Sequence, residues 1–474
     1  MKIREMREKL DRREISAPEL TAVFLERIRR AEPRLNSYIT VLEEQAQKQA
    51  AVIQERIQAG AAGGLDGIPI SVKDNICTKG IPTTCGSRVL ADFVPDYNAA
   101  VIDRTAGAVL LGKTNMDEFA MGSGSQTSYF GAVGNPYNPD FVPGGSSGGA
   151  AAAVAADLCP AALCSDTGGS VRQPAAFCGV TGLKPTYGLV SRFGLVAFAS
   201  GLDQIGVIAK SAEDCAMVLA QIAGRDQKDM TTWNKPTVNP LERLGKSIRG
   251  LRIGTPAEYY GSSTAPAVRE AVLRAAQFYA EQGCVLVETA MPSLEYAVPA
   301  YYLLSSAQAA ANLARYDGLR YGFRETSGDG FAGQLRQTRE TGFGREVKRR
   351  ILLGNYALSA EFYADYYQNA ARIQTRIIRE FARQFEQCDL LLTPTAPTAA
   401  YPKAERPPVK NYMDDFCAAP VNLAGLPAIS TVCGYDEQGM PIGMSLIGPA
   451  FSENLLIGAA DAFEQAFVRR EAEI

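Results

Sequence analysis

Histidine is missing from all 474 residues. Its absence removes the commonest transition-metal ligand and the usual general base near neutral pH. Any proton transfer must therefore be run by other groups, and no metal is expected. Neither sign of charge is in excess: 48 Lys and Arg stand against 51 Asp and Glu, a net charge of −3. Nothing in that total calls for direct contact with nucleic acid or a lipid surface. No apolar run approaches the ~18 residues of a membrane span, since the most apolar stretch, 148–164, is interrupted by Asp157 and Pro160. Residues 1–9 are charged throughout and hold no apolar signal core. A soluble, cytoplasmic chain with no membrane partner is the expectation. The ten cysteines contain no C-x-x-C pair and read as free buried thiols. There is no internal repeat and no low-complexity linker.

What is present suits a large core, because 46% of the residues are hydrophobic. The length allows two or three average domains or one large α/β unit, and the missing linker favours one. Ser16-Ala17-Pro18-Glu19 reads as a capping box, followed by Leu20, Val23, Phe24 and Ile28 at helical spacing, with Pro33 ending the run. A second helix is expected over 43–58, so that residues 1–60 form an N-terminal helical layer on a body spanning 61–474. In the body, strands are expected at 68–72, 109–112, 161–165, 251–254, 285–287, 390–393, 429–432 and 444–447. They alternate with helices at 99–106, 212–222, 265–281, 345–385 (broken) and 453–467. Such alternation predicts an α/β sheet covered by helices. A mostly helical segment, about 292–387 with a glycine-rich loop at 328–333, is expected to cap one edge.

Three blocks carry chemistry. Two are rich in glycine and serine: Pro143-Gly144-Gly145-Ser146-Ser147-Gly148-Gly149-Ala150, and Ser165-Asp166-Thr167-Gly168-Gly169-Ser170-Val171-Arg172-Gln173-Pro174. A flexible linker fits poorly, since the apolar run after Gly149 reads as buried. A phosphate loop would need Gly-Lys-[Ser/Thr], which is missing. Gly144-Gly145-Ser146-Ser147-Gly148 has the form of a G-x-S-x-G nucleophile elbow, but that elbow needs a histidine base. A serine hydroxyl is a poor nucleophile until a base takes its proton, and without imidazole a neutral lysine amine is the natural base. The third block supplies one: Gly67-Ile68-Pro69-Ile70-Ser71-Val72-Lys73-Asp74-Asn75, where Lys73 ends a buried strand. Burial lowers an ammonium pKa. Taken alone, Lys73 reads equally well as a lysine snorkelling to the surface or paired with Asp74.

Together the three blocks resemble the amidase-signature enzymes, and the resemblance runs from about residue 15 to the C-terminus. It implies a single large α/β domain with a mixed central sheet covered by helices on both faces. It also implies a Ser-Ser-Lys triad: Lys73 as base, Ser146 bridging through an unusual cis peptide, and Ser170 as nucleophile. The 24-residue separation of Ser146 and Ser170 suits this assignment better than Ser147 would. Thr167, Gly168, Gly169 and Ser170 would then present backbone N–H groups to the developing oxyanion.

Further stretches are similar to one branch of the family, the A subunits of glutamyl-tRNA(Gln)/aspartyl-tRNA(Asn) amidotransferases. They are 112–123 (Gly-Lys-Thr-Asn-Met-Asp-Glu-Phe-Ala-Met-Gly-Ser), 312–318, 346–354 and 420–427. The likeness implies hydrolysis of glutamine, with ammonia passed to a partner that amidates misacylated tRNA. It also implies B and C partner subunits in a heterotrimer, tRNA held mainly through the partner, no cofactor in this chain, and ATP and Mg only in the partner. For glutamine it points to Asp415 for the ammonium, to Arg350 in preference to Arg349 for the carboxylate, where a planar fork suits bidentate pairing, and to Tyr301 in the pocket wall. Two other readings stand beside it: a stand-alone amidase for an aryl, fatty or short-chain carboxamide, and a silent scaffold that only binds partners.

Overall fold

Strands buried at every position belong inside a sheet covered on both faces, and several segments here have that character. Pro69–Lys73, Ala161–Asp166, Gln204–Ala209, Leu390–Pro394 and Pro441–Ile447 expose no residue. The computed structural model describes residues 1–235, 237–404 and 406–472. In it, eleven strands form one sheet: β1 Tyr38–Val41, β2 Pro69–Lys73, β3 Val109–Thr114, β4 Ala161–Asp166, β5 Thr181–Lys184, β6 Gln204–Ala209, β7 Arg252–Pro256, β8 Val285–Thr289, β9 Leu390–Pro394, β10 Ala428–Tyr435 and β11 Pro441–Ile447. Their order is β1-β3-β2-β4-β6-β5-β10-β11-β9-β7-β8. Parallel pairs (β2 with β3 and β4, β7 with β8 and β9) sit among antiparallel ones. The chain is thus a single large α/β domain on a mixed sheet, as its fold class was expected to be.

The main core lies between this sheet and helices that include Ala17–Leu35, Glu43–Gln58, Ala212–Ile222, Pro266–Glu281 and Glu453–Ala466. A second core gathers Ala297–Leu313, Arg345–Leu358 and Asn369–Gln387 over residues such as Phe119, Phe198 and Phe416. The site described below lies where the two cores meet. Among the described residues no helix is long and apolar enough to cross a membrane.

Several details differ from expectation or refine it. The helix that follows Ser16 does not stop at Pro33: it runs through Leu35 and ends at Asn36, whose left-handed φ of 50° lets its N–H donate to Glu32 O (3.0 Å). The glycine-rich stretch 328–333 is partly helical, since Gly330–Gly342 is a helix. The break in 345–385 is a π-helical turn, Tyr363–Gln368, leading directly into Asn369–Gln387. Strands β1, β5 and β6 were not foreseen.

Candidate active site

Register brings the site together. Val72 of β2 lies beside Leu163 of parallel β4, so Lys73 at the end of β2 and Ser165 near the end of β4 emerge side by side. Lys73 is fully buried. Its amine donates to Ser146 Oγ (2.8 Å) and Ser165 Oγ (3.0 Å), and more weakly to Ser165 O (3.4 Å). Asn75 Nδ2 holds the Ser165 hydroxyl from the other side (2.9 Å). The alternative pairing with Asp74 is not made: Asp74 faces the buried Lys113, at 3.4 Å. Burial pushes the Lys73 amine down to about 8, against the pull of Asp117, Asp166 and Asp203. A buried lysine with two hydroxyls and no paired carboxylate is poised to be a base.

Ser146 follows a cis peptide after Gly145 and precedes Ser147, the N-cap of the helix Gly148–Ala155. Its carbonyl accepts from Asp117 N (3.2 Å). The Asp117 carboxylate in turn accepts from Ser125 N (2.8 Å), Gln126 N (3.0 Å) and Thr127 Oγ1 (2.9 Å), fixing the loop beside the serines. Ser170 lies in the turn between β4 and the helix Arg172–Phe177. Gln173 ties the two serine segments together, accepting from Gly145 N (2.8 Å) and donating to Ser123 O (3.0 Å).

Asp166 shapes the Ser170 turn. It accepts from Gly169 N (2.8 Å), Val171 N (3.1 Å), Arg172 Nε (3.1 Å) and Asn422 Nδ2 (2.9 Å). Burial alone would raise its carboxyl, but the Arg172 guanidinium outweighs it and holds Asp166 well below the ordinary range. This corrects one sequence expectation. The Gly169 N–H is committed to Asp166 and holds the turn, so it does not point at substrate. Among the described residues the amides of Thr167, Gly168 and Ser170 donate to no protein group, and they remain for an oxyanion. The Thr167 hydroxyl is anchored to Asp203 Oδ1 (2.6 Å). Gly168 must be glycine, because a Cβ there would fall on the Tyr301 ring. Tyr301 therefore packs directly on this loop.

The other expected substrate residues gather nearby. Tyr302 donates to Asp415 Oδ2 (2.6 Å), and Arg350 lies over the Tyr302 ring, 4.7 Å from its centre. Arg350 is buried and its Nε donates to Glu346 Oε1 (2.9 Å). Arg349 is the more exposed of the pair, and it also binds Glu346. Asp415 is half-buried, and desolvation raises its carboxyl to about 7 even though Tyr302 and Arg350 favour the charge. Asp117, Ser123, Tyr302, Glu346, Arg350 and Tyr412 line a cavity of about 70 Å³ against these groups. Sequence reasoning missed Ser165, Asp117, Gln173 and Tyr302. The first three stood inside motifs already quoted, and Tyr302 adjoins Tyr301, but only the fold shows what they touch. Among the described residues no cluster of Cys, Asp and Glu is set to hold a metal ion.

The profile of the Amidase family matches residues 19–457. The chain belongs to the amidase family. Within it, the A subunit of glutamyl-tRNA(Gln) amidotransferase from Lachnoclostridium phytofermentans is 49% identical over 483 residues, covering 99% of this amidase and 98% of the relative. The crystal structure of the glutamyl-tRNA(Gln) amidotransferase A subunit from Thermotoga maritima is 37% identical with a TM-score of 0.81, over 100% of this amidase and 98% of that chain. Native peptide amidase from Stenotrophomonas maltophilia is 30% identical with a TM-score of 0.83, over 100% and 98%. This amidase is an enzyme of amide-bond chemistry.

Proposed function

We propose that this chain is the glutaminase subunit of a tRNA-dependent amidotransferase. Ser170 attacks the side-chain carboxamide of glutamine while Ser146 takes the Ser170 proton and passes its own to the neutral Lys73 amine. The amides of Thr167, Gly168 and Ser170 stabilise the oxyanion. Lys73, through Ser146, returns the proton to the departing ammonia. Water then hydrolyses the acyl-Ser170, giving glutamate. Asp415 receives the substrate ammonium and Arg350 its carboxylate, with Tyr301 and Tyr302 as wall.

The observation that carries this reading is the Lys73–Ser146 contact of 2.8 Å inside a fully buried site. The choice of glutamine is supported by the buried Arg350 beside Asp415, and by near full-length relatives that are themselves amidotransferase A subunits. A stand-alone amidase for apolar amides would leave those two charges without a purpose. Within the assembly the chain passes ammonia to a partner, in a heterotrimer with B and C subunits in the cytoplasm. There the partner uses ATP and Mg to amidate misacylated Glu-tRNA(Gln) or Asp-tRNA(Asn) and makes most of the tRNA contact.

The test is ammonia release from glutamine by the chain co-expressed with its B and C subunits, alongside aryl and short aliphatic amides. Glutamine is expected to be the preferred substrate. A complex that releases no ammonia from glutamine would overturn the reading.

A further inference from the structure

The small polar cavity beside Ser123 and Arg350 has a neighbour. A second cavity, of about 590 Å³, shares two of its lining residues, Tyr302 and Tyr412. The rest of its wall carries five apolar side chains, Val298, Pro299, Val409, Met413 and Phe416, beside Glu258, Glu295 and two serines. The mechanism above uses none of these five apolar side chains.

The partition between the cavities is a pair of rings. Tyr302 and Tyr412 stack with centres 4.0 Å apart and planes 27° from parallel. The Arg350 guanidinium lies over both, 4.7 Å from one ring and 5.6 Å from the other. Rings at that spacing leave no room for a chain to pass between them. On the polar side an apolar acyl chain would have to lie against Arg350 and Asp415 and strip them of solvent without replacing it, which sites reject strongly. The two rings are held differently. Tyr302 is buried and donates to Asp415 Oδ2 (2.6 Å), so removing it would also disturb the ammonium site. Tyr412 is half-buried on the short helix Pro408–Met413, and its hydroxyl donates to Glu346 Oε1 (3.1 Å).

We propose that the Tyr412 ring is the specificity-determining wall of this enzyme. With it in place the acyl group must be short and polar. With it removed, the 590 Å³ chamber becomes an acyl site for primary carboxamides bearing an unbranched aliphatic or arylalkyl chain. The reaction is unchanged: water and R–CO–NH2 give R–COOH and ammonia through acyl-Ser170. Each methylene moved from water into an apolar wall contributes a factor of roughly four. A chain that places three or four carbons in the chamber therefore gains on the order of 10²-fold in kcat/KM. The inference rests on the reading of Ser170 as acyl carrier, but not on glutamine being the natural substrate.

The test uses the assembled complex, with 4-phenylbutanamide and glutamine as probes and ammonia as readout. Tyr412→Ala is expected to raise kcat/KM for 4-phenylbutanamide by on the order of 10²-fold over the unaltered enzyme. Tyr412→Phe, which keeps the ring, is expected to show no such gain. Met413→Trp, added to Tyr412→Ala to fill the chamber, is expected to remove it. Tyr412→Leu gives the same readout if the alanine variant does not assemble. A folded Tyr412→Ala or Tyr412→Leu complex without the gain overturns the proposal, even where glutamine is turned over normally. A gain on 4-phenylbutanamide in a complex that never hydrolyses glutamine upholds the wall and overturns the glutaminase reading instead.

Discussion

At the scale of single residues, the proposed chemistry depends on two groups that burial has moved towards neutrality from opposite sides. In that proposal Lys73 works as a base only when uncharged, and burial brings it to about 8. Asp415 would hold an ammonium only when charged, and burial raises it to about 7. Raising the pH deprotonates both, and each deprotonation favours turnover. kcat/KM for glutamine, which reports the free enzyme, is therefore expected to rise about tenfold per pH unit between about 7 and 8. Below about 7 it should rise more steeply, because both groups are then protonated, and above about 8 it should level off. A profile that falls with rising pH would remove Lys73 from the role of base. Ser170→Ala is expected to lower ammonia release by on the order of 10⁵-fold with an unchanged thermal midpoint, since this loop hydroxyl holds no structural hydrogen bond among the described residues. Arg350→Lys removes a planar fork and is expected to act mainly on KM, raising it by roughly 10-fold to 100-fold. At this scale Lys73, Ser146 and Ser170 could be named from contiguous motifs, and the fold brings Lys73 to Ser146. Ser165, Gln173 and Tyr302 could not be given roles, because what each touches comes from a distant part of the chain. Gly169 failed for the opposite reason: its motif is visible, but only the fold shows Asp166 taking its N–H.

At the scale of elements, the helix that carries Arg350 is set by a single carboxylate. Gly344, the cap of Arg345–Leu358, donates its N–H to Glu118 Oε2 (2.8 Å), while Ser87 Oγ donates to Glu118 Oε1 (2.6 Å). Burial raises Glu118 to about 7, against these two hydrogen bonds. Glu118→Ala leaves a part-buried helix-end N–H without a partner, a loss of about 1–3 kcal/mol at most. It is expected to lower the thermal midpoint and to raise KM for glutamine by loosening Arg350, with kcat less affected. Thermal denaturation and steady-state kinetics on the same preparation check both effects. Long periodic elements such as Glu43–Gln58 and Ala212–Ile222 were legible to the residue, because their apolar spacing is helical throughout. The short strands were not. β5 is Thr-Gly-Leu-Lys, whose glycine and lysine suggest a turn. Its Lys184 can be buried only because Gln204 Oε1 (3.0 Å) and the carbonyls of Pro185 (3.1 Å) and Leu426 accept its three protons. β6 contains Gly206, where a Cβ would strike Leu183 O of the neighbouring strand. That is a tertiary reason for a glycine that local propensity counts against a strand.

At the scale of the whole molecule, the eleven-stranded sheet and the helices on it enclose every thiol. All ten cysteines are free and buried, and burial raises the pKa of those that line the cores, such as Cys85, Cys164 and Cys417. The folded chain is expected to react with an aromatic disulfide reagent far more slowly than a small thiol does, and to release ten equivalents once denatured. Added reductant is expected to leave the thermal midpoint unchanged. Rapid labelling of several thiols in the native state would contradict this packing.

The hydrogen bonds from Asn422 to Asp166 join residues 256 positions apart. The ribosome therefore makes the reactive turn long before it makes the side chain that braces it. Until the last part of the polypeptide emerges and docks, Asp166 lacks one of its clamps. A half-made chain thus lacks part of what fixes the Ser170 turn.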